Sequence, residues 1–256
     1  MMGKRHVGGI PRIATLSVGQ QAAVGDDPSV KAWRREGYTP YCGDAGAGLH
    51  LVVGFYNTQR DIPTAAGLIR MYGTADDVNP TGDGYRTVRV HGLDANYALQ
   101  TEDVALNGST LVYTTKTFIR VFDIEVLTAG SDITGSSCAC KSADGVDFYM
   151  YLGAGDNMYK TLDAAWCVPA GQKLYVVRWG AHTRDDTVVS LRLDHRAFGR
   201  GFFTAESRIQ LYRNSVSHEL NSPIIVEEKG DIQIVALSDA SNHEVGAYME
   251  GWYQSA

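Results

Sequence analysis

From Tyr85 onward the chain is written in short segments whose apolar residues recur at every second position, separated by Gly, Pro, Asn, Asp and Ser. Period-two patterning over roughly four to eight residues places alternate side chains on opposite faces of a strand, which suits a sheet with one buried face. TFIRVFDIEVLTAG sets Phe118, Phe122, Ile124 and Val126 on one face. DDTVVSLRLDH opposes Val189, Leu191 and Leu193 to Ser190, Arg192 and Asp194, and NHEVGAYMEGWY opposes Val245, Ala247 and Met249 to Tyr248, Glu250 and Trp252. No long stretch of helical period follows Gly84. Some eight strands at this spacing predict a mainly β fold, an antiparallel jelly-roll-like β-sandwich over residues 85–256. Within it, Asn107-Gly108 carries the residues of a two-residue hairpin turn and predicts that Val104 to Leu106 pair back on Leu111 to Tyr113.

Residues 1–84 read differently, as an irregular N-terminal arm or small lobe with short helices. Asp27 and Pro28 stand as cap and first turn ahead of SVKAWRREG, with Gly37 as the stop, and Pro63 opens a second candidate, TAAGLIRMYG. Between them LHLVVGFYN, Leu49 to Asn57, has the apolar run of a buried strand.

Composition narrows the function. A chain of 256 residues buries a core large enough to fold without metal or disulfide staples. With 23 Lys and Arg against 29 Asp and Glu, a net charge of −6, and no basic run beyond Lys4-Arg5, it lacks the electrostatic footprint of a nucleic-acid binder. No apolar run approaches the ~18 residues of a membrane span, and MMGKRHVGGIPRIA has no apolar signal core, so assembly in a cytoplasm is expected. Cys42, Cys138, Cys140 and Cys167 lack zinc-site spacing and are expected to be buried, reduced thiols.

Motifs for chemistry are weak. Gly135-Ser136-Ser137 is no nucleophile elbow, and GDAGAG, Gly43 to Gly48, lacks the lysine of a phosphate loop. Asp77, Asn79, Thr81 and Asp83 space oxygens as a calcium loop would, without its glycine or glutamate in place. His182, Asp185 and Asp186 share one loop, which is more naturally a solvated hairpin. His6, His50, His91, His182, His195, His218 and His243 show neither cupin nor zincin spacing. Tyr248, Trp252 and Tyr253 with Trp179 suit either a sugar platform or a packed core, and strand spacing favours the core. No residue is assigned a catalytic, cofactor-binding or metal-binding role.

Three stretches, DANYALQTEDVALNGST (Asp94 to Thr110), TTKTFIRVFDIEVLTAGS (Thr114 to Ser131) and SHEL with PIIVEEKGDIQIVA (within Ser217 to Ala236), give residues 85–256 a likeness to a known group. The chain there resembles β-rich virion structural proteins of tailed phages, marine ones especially. The resemblance implies a virion component in many symmetric copies: a capsid decoration or cement protein, expected as a homotrimer bound to the major capsid protein or other virion proteins. The rival expectations are a tail-fibre, spike or neck component that recognises a host-surface glycan or joins parts of the particle, and a cupin-like metal enzyme that the histidine spacing does not favour.

Overall fold

The computed structural model describes residues 30–42, 51–54, 61–153, 159–184, 186, 188–238 and 243–255. Among them the regular structure is entirely β, in two face-to-face sandwiches. In the first, β1 (Val30–Cys42), β16 (His243–Ser255), β11 (Gln172–Thr183) and β14 (Ser215–Val226) form one sheet in that order. The facing sheet runs β10 (Ala165–Cys167), β15 (Asp231–Ser238), β12 (Val189–Arg196), β13 (Thr204–Leu211), with β2 (Leu51–Val52) also on β15. Every ladder is antiparallel. Trp179, Val245, Ala247 and Met249 from the first sheet meet Val189, Leu191, Leu193, Ile232 and Ile234 from the second in a closed core. The inward sets are those the alternation predicted for β12 and β16.

The second sandwich lies within residues 67–152. One sheet is β6 (Val112–Phe118), β3 (Gly67–Gly73), β8 (Cys138–Ser142), β9 (Phe148–Leu152). The other is β5 (Leu99–Ala105), β4 (Tyr85–Leu93), β7 (Arg120–Ala129). Ile69, Met71, Cys138, Cys140 and Met150 pack across it on Val88, Val90, Ile124 and Val126.

How one sandwich sits inside the chain of the other is visible at a single edge of β15. Leu51 and Val52 pair with Ala236 and Val235, and Ala165, Trp166 and Cys167 pair with Gln233, Ile232 and Asp231. Between them, the Val53 N–H donates to the Ile234 carbonyl at 2.9 Å, the Ile234 N–H donates to Ala164 at 2.9 Å, and the Ala164 N–H donates to Val53 at 2.8 Å. The strand position on that edge is therefore filled by two pieces of chain, and the second sandwich is inserted between Val53 and Ala164, both fully buried. Where the chain leaves, Gly54 has φ +100°, and a Cβ there would stand 1.8 Å from the Leu162 carbonyl oxygen. Gly37 of β1 crosses the same point, its missing Cβ otherwise 2.3 Å from the Val53 oxygen.

Three local expectations are corrected. Both helix candidates are strands: VKAWRREGYTPYC is β1, paired along its length with β16, and GLIRMYG is β3, paired with β6 and β8. Described strands from the first 84 residues are thus shared among sheets completed by later chain. The Asn107-Gly108 turn forms, but it does not make a hairpin. Only Gly108 takes a positive φ, +64°, so the two-residue geometry that needs both is not adopted. Its N–H donates to Asp77 O at 2.7 Å, and the chain passes from one sheet to the other, β5 pairing with β4 and β6 with β3. The long segment through Phe118 bends at Ile119, between β6 and β7, so Phe118 and Phe122 end in different clusters.

The insertion geometry makes two outcomes expected. A chain with residues 55–162 replaced by a short Gly-Ser linker should still fold, with a β-type circular dichroism spectrum and one cooperative melt. Gly54→Ala should lower unfolding free energy by at least about 2 kcal/mol in urea titration, since strain at φ +100° adds to the overlap with Leu162.

Candidate functional site

The sandwiches meet along the first half of β7, whose residues Arg120 to Ile124 are all buried. Alternation fails there because the insert's own core covers one face and the outer sandwich covers the other. Phe122 turns out of the insert and stacks on Trp166 of β10, ring centroids 3.8 Å apart and 20° between planes. Leu93, Ile119 and Cys167 complete this small apolar cluster. The Arg35 guanidinium of β1 lies 5.4 Å from the centroid of the Trp166 ring.

Two buried ion-pair groups flank the stack. Arg35 donates to the Asp123 carboxylate at 3.0 Å, to the Asp163 carbonyl at 2.7 Å and to the Phe122 carbonyl. Asp123, 4% exposed, also faces Lys160 at 3.3 Å and His91 at 3.7 Å, and His91 reaches Glu125 at 3.1 Å. On the other flank Arg120 donates to both oxygens of Asp231, Nε at 2.8 Å and Nη2 at 3.1 Å, and to the Pro63 carbonyl at 2.8 Å. Arg196 donates to the same carboxylate at 2.6 Å. Burial works to raise the Asp231 carboxyl and to lower the Arg120 guanidinium; their mutual bonds, and those of Arg196 to Asp231, outweigh it, so Asp231 lies below and Arg120 above its ordinary value. The cavity beside this pair has a volume of about 20 Å³, room for a single water molecule.

A second concave feature, about 410 Å³, lies on the outer face of the β1–β16 sheet, where Arg34, Glu36, Tyr38, His182 and Tyr248 line it. Across that face, Arg34, Glu250, Arg178 and Glu219 form an alternating charge ladder over all four strands. Tyr175 and Trp252 stack beside it, centroids 5.4 Å apart and 9° between planes.

The aromatic set read from the sequence is divided by the sheet. Trp179 is fully buried and Tyr253 packs on Trp33, whereas Tyr248 and Trp252 face outward. His182 is exposed, Asp186 pairs with Arg213, and Asp185 lies outside the described residues. Asp77 is buried and accepts from the Thr74 N–H and hydroxyl, the Tyr85 N–H and the Ser137 N–H, which makes it a tie between loops. Ser136 is buried beside it. Among the described residues no group of three or more His, Cys, Asp or Glu is placed to hold a metal. Cys138, Cys140 and Cys167 are buried free thiols, and burial raises Cys138 and Cys167 far above the ordinary thiol value. The Cys42 side chain, the segment from Gly43 to Gly48, and His6 and His50 lie outside the described residues. His195 stands 3.6 Å from Glu206, and His218 meets the Trp179 ring edge. The Asp123 and Asp231 groups escaped the sequence reading because their partners are joined by strand register and sandwich contact; His91 is opposite Asp123 only through the β4–β7 ladder.

No family model matches the chain, and no curated protein matches it. Among solved structures, the crystal structure of PBSX exported protein XepA is similar at 8% identity with a TM-score of 0.20, over 86% of this chain and 84% of that one. The structure of the infectious bursal disease virus Gx strain is similar at 8% identity with a TM-score of 0.15, over 89% of this chain and 77% of that one. At such scores neither likeness carries an argument about this chain.

The lowered Asp231 carboxyl gives a pH signature with a definite sign. Its contribution to stability is complete above the ordinary carboxylate value near ~4 and is lost as pH falls through the lower folded value. Asp231→Asn leaves two arginines without their carboxylate and should cost about 3–5 kcal/mol at pH 7 in urea unfolding. The gap to wild type should stay constant down to about pH 5 and narrow below about pH 4.

Proposed function

We propose that the chain is a virion structural protein of a phage, a decoration or cement protein that binds the head shell through the major capsid protein or another virion protein and works mechanically, without catalysis. The observation that supports this most is the connectivity of the outer sandwich. Sheet orders β1-β16-β11-β14 and β10-β15-β12-β13 are read as an eight-stranded jelly roll, an architecture used by viral capsid domains and by lectins. The step from fold to function is one of analogy. Beyond the fold, it is supported by two long, largely exposed edge strands, β13 and β14, whose free backbone groups suit subunit contacts. We take the working form to be a homotrimer, as the resemblance in its sequence implies.

Two measurements test this reading. Light scattering of purified protein at micromolar concentration is expected to give the trimer mass, and a monomer would count against it. Images of particles with and without the protein are expected to differ in head-surface protrusions; a difference confined to tail or neck would move the assignment there. That second reading, a tail-fibre, spike or neck component, draws on the outward Tyr175–Trp252 stack, an aromatic surface suited to a sugar ring. Specific signals on a glycan array, lost in Trp252→Ala, are its expected outcome.

A further inference from the structure

The groove on the outer face of the β1–β16 sheet follows from strand register. Along β16 the outward residues Trp252, Glu250, Tyr248 and Gly246 stand opposite Ala32, Arg34, Glu36 and Tyr38 of β1. On their other side they face Tyr175, Arg178, Gly180 and His182 of β11. Two of these positions are glycine, and a neighbouring ring lies where each side chain would be. A Cβ on Gly180 would stand 2.8 Å from Cε1 of Tyr248, and one on Gly246 would stand 2.1 Å from Cε1 of His182. Both rings are thereby laid low over the adjoining strand, and the Tyr248 hydroxyl is tied down by donating to Ser217 Oγ at 2.8 Å. The hollow above them, about 410 Å³, is lined by Arg34, Glu36, Tyr38, Leu162, His182 and Tyr248. That volume falls within the ~300–1,000 Å³ of small-molecule sites.

Charge on this face is paired throughout. Arg34 lies between Glu36 at 2.5 Å and Glu250 at 3.0 Å, and Arg178 lies 2.5 Å from Glu219. Towards the two ends of the sheet Arg184 stands 3.9 Å from Glu244 and Lys173 stands 3.0 Å from Glu227. These five carboxylates each have a cation and outnumber the four cations by one. An anion therefore finds no spare positive charge here, and a cation finds no unpaired carboxylate. What the groove does offer is hydrogen bonding in both senses: the guanidinium donates, the carboxylate accepts, and the imidazole does either. It offers these beside two aromatic rings and Leu162, with the Arg34 guanidinium 5.3 Å from the Tyr248 ring centroid. Sugar hydroxyls both donate and accept, and the C–H face of a pyranose packs on aromatic rings.

We propose that the groove holds an uncharged sugar unit, its hydroxyls bonded by Arg34, Glu36 and His182. Trp252 lies two outward positions along β16 from Tyr248, about 13 Å away at ~3.3 Å per residue. One oligosaccharide laid along β16 reaches both the groove and the Tyr175–Trp252 stack. The inference rests on the glycan-recognition reading above and adds to it the class of sugar and the place where its hydroxyls are held.

An array carrying neutral, sialylated and sulfated oligosaccharides tests it, followed by titration calorimetry on the strongest signal. Glu36→Gln and His182→Ala alter the groove at exposed side chains, and Trp252→Ala alters the stack. Wild type is expected to bind uncharged oligosaccharides, and each groove variant to bind the same one at least about tenfold more weakly while melting as wild type does. Trp252→Ala is expected to weaken that ligand too. Weakening by Trp252→Ala alone overturns the groove and leaves the aromatic stack as the glycan site. Signals confined to sialylated or sulfated glycans overturn the uncharged class and with it the proposal. An array without signal overturns the glycan-recognition reading itself, and the groove with it.

Discussion

The edge of β15 is the constraint on which the molecule is built. One strand position there is occupied by Leu51–Val53 and then by Ala164–Cys167, with Ile234 bonded to both pieces. Backbone groups buried at that point must be paired, and each piece supplies part of the ladder. The outer core therefore closes only when the two ends of the insert lie side by side. Conversely, the insert is anchored by two points a single hydrogen bond apart, the arrangement that makes insertion of one domain into another tolerable.

Two points would leave the insert free to swing, and the junction shows what holds it. Burying Phe122 against Trp166 contributes on the order of 1.5–3 kcal/mol for the ring, with about 1 kcal/mol more from stacking. The Arg35–Asp123 and Arg120–Asp231 pairs add less net energy, since desolvation offsets most of their attraction. Their effect is on geometry: the bidentate Arg120–Asp231 pair admits one orientation, Arg35 is fixed by Asp123 and two backbone carbonyls, and any rotation strands a buried charge. Apolar contact supplies the attraction and the charges select the angle.

Strands with one wet face were legible residue by residue. Val189, Leu191 and Leu193 are inward as the alternation requires, as are Val245, Ala247 and Met249. What misled was local signal that tertiary pairing overrode. Asp27-Pro28 is a sound helix start, yet β1 is extended because it pairs with β16 along nearly its whole length and helix propensity is a weak preference. Asn107-Gly108 is a sound hairpin turn, yet the Gly108 N–H is committed to Asp77, and β6 meets β5 through side chains, the Thr115 and Lys116 N–H groups donating to the Glu102 carboxylate and the Lys116 ammonium to the Thr101 carbonyl. The junction groups were beyond reach altogether, since Arg120 and Asp231 are 111 residues apart and their meeting depends on how two finished sandwiches dock.

The nested arrangement also sets an order of events during synthesis. Every strand of the insert has emerged by Leu152, the ladders between these strands are all among residues 67–152, and residues 159–161 add to β7 shortly after, so it can complete itself on the ribosome. The outer body cannot, because β1 waits for β16, more than two hundred residues later. Until then β1 has a bare edge, and the early-folded insert, already presenting Phe122 and Asp123, is the surface on which Arg35 and Trp166 can gather the unfinished strands.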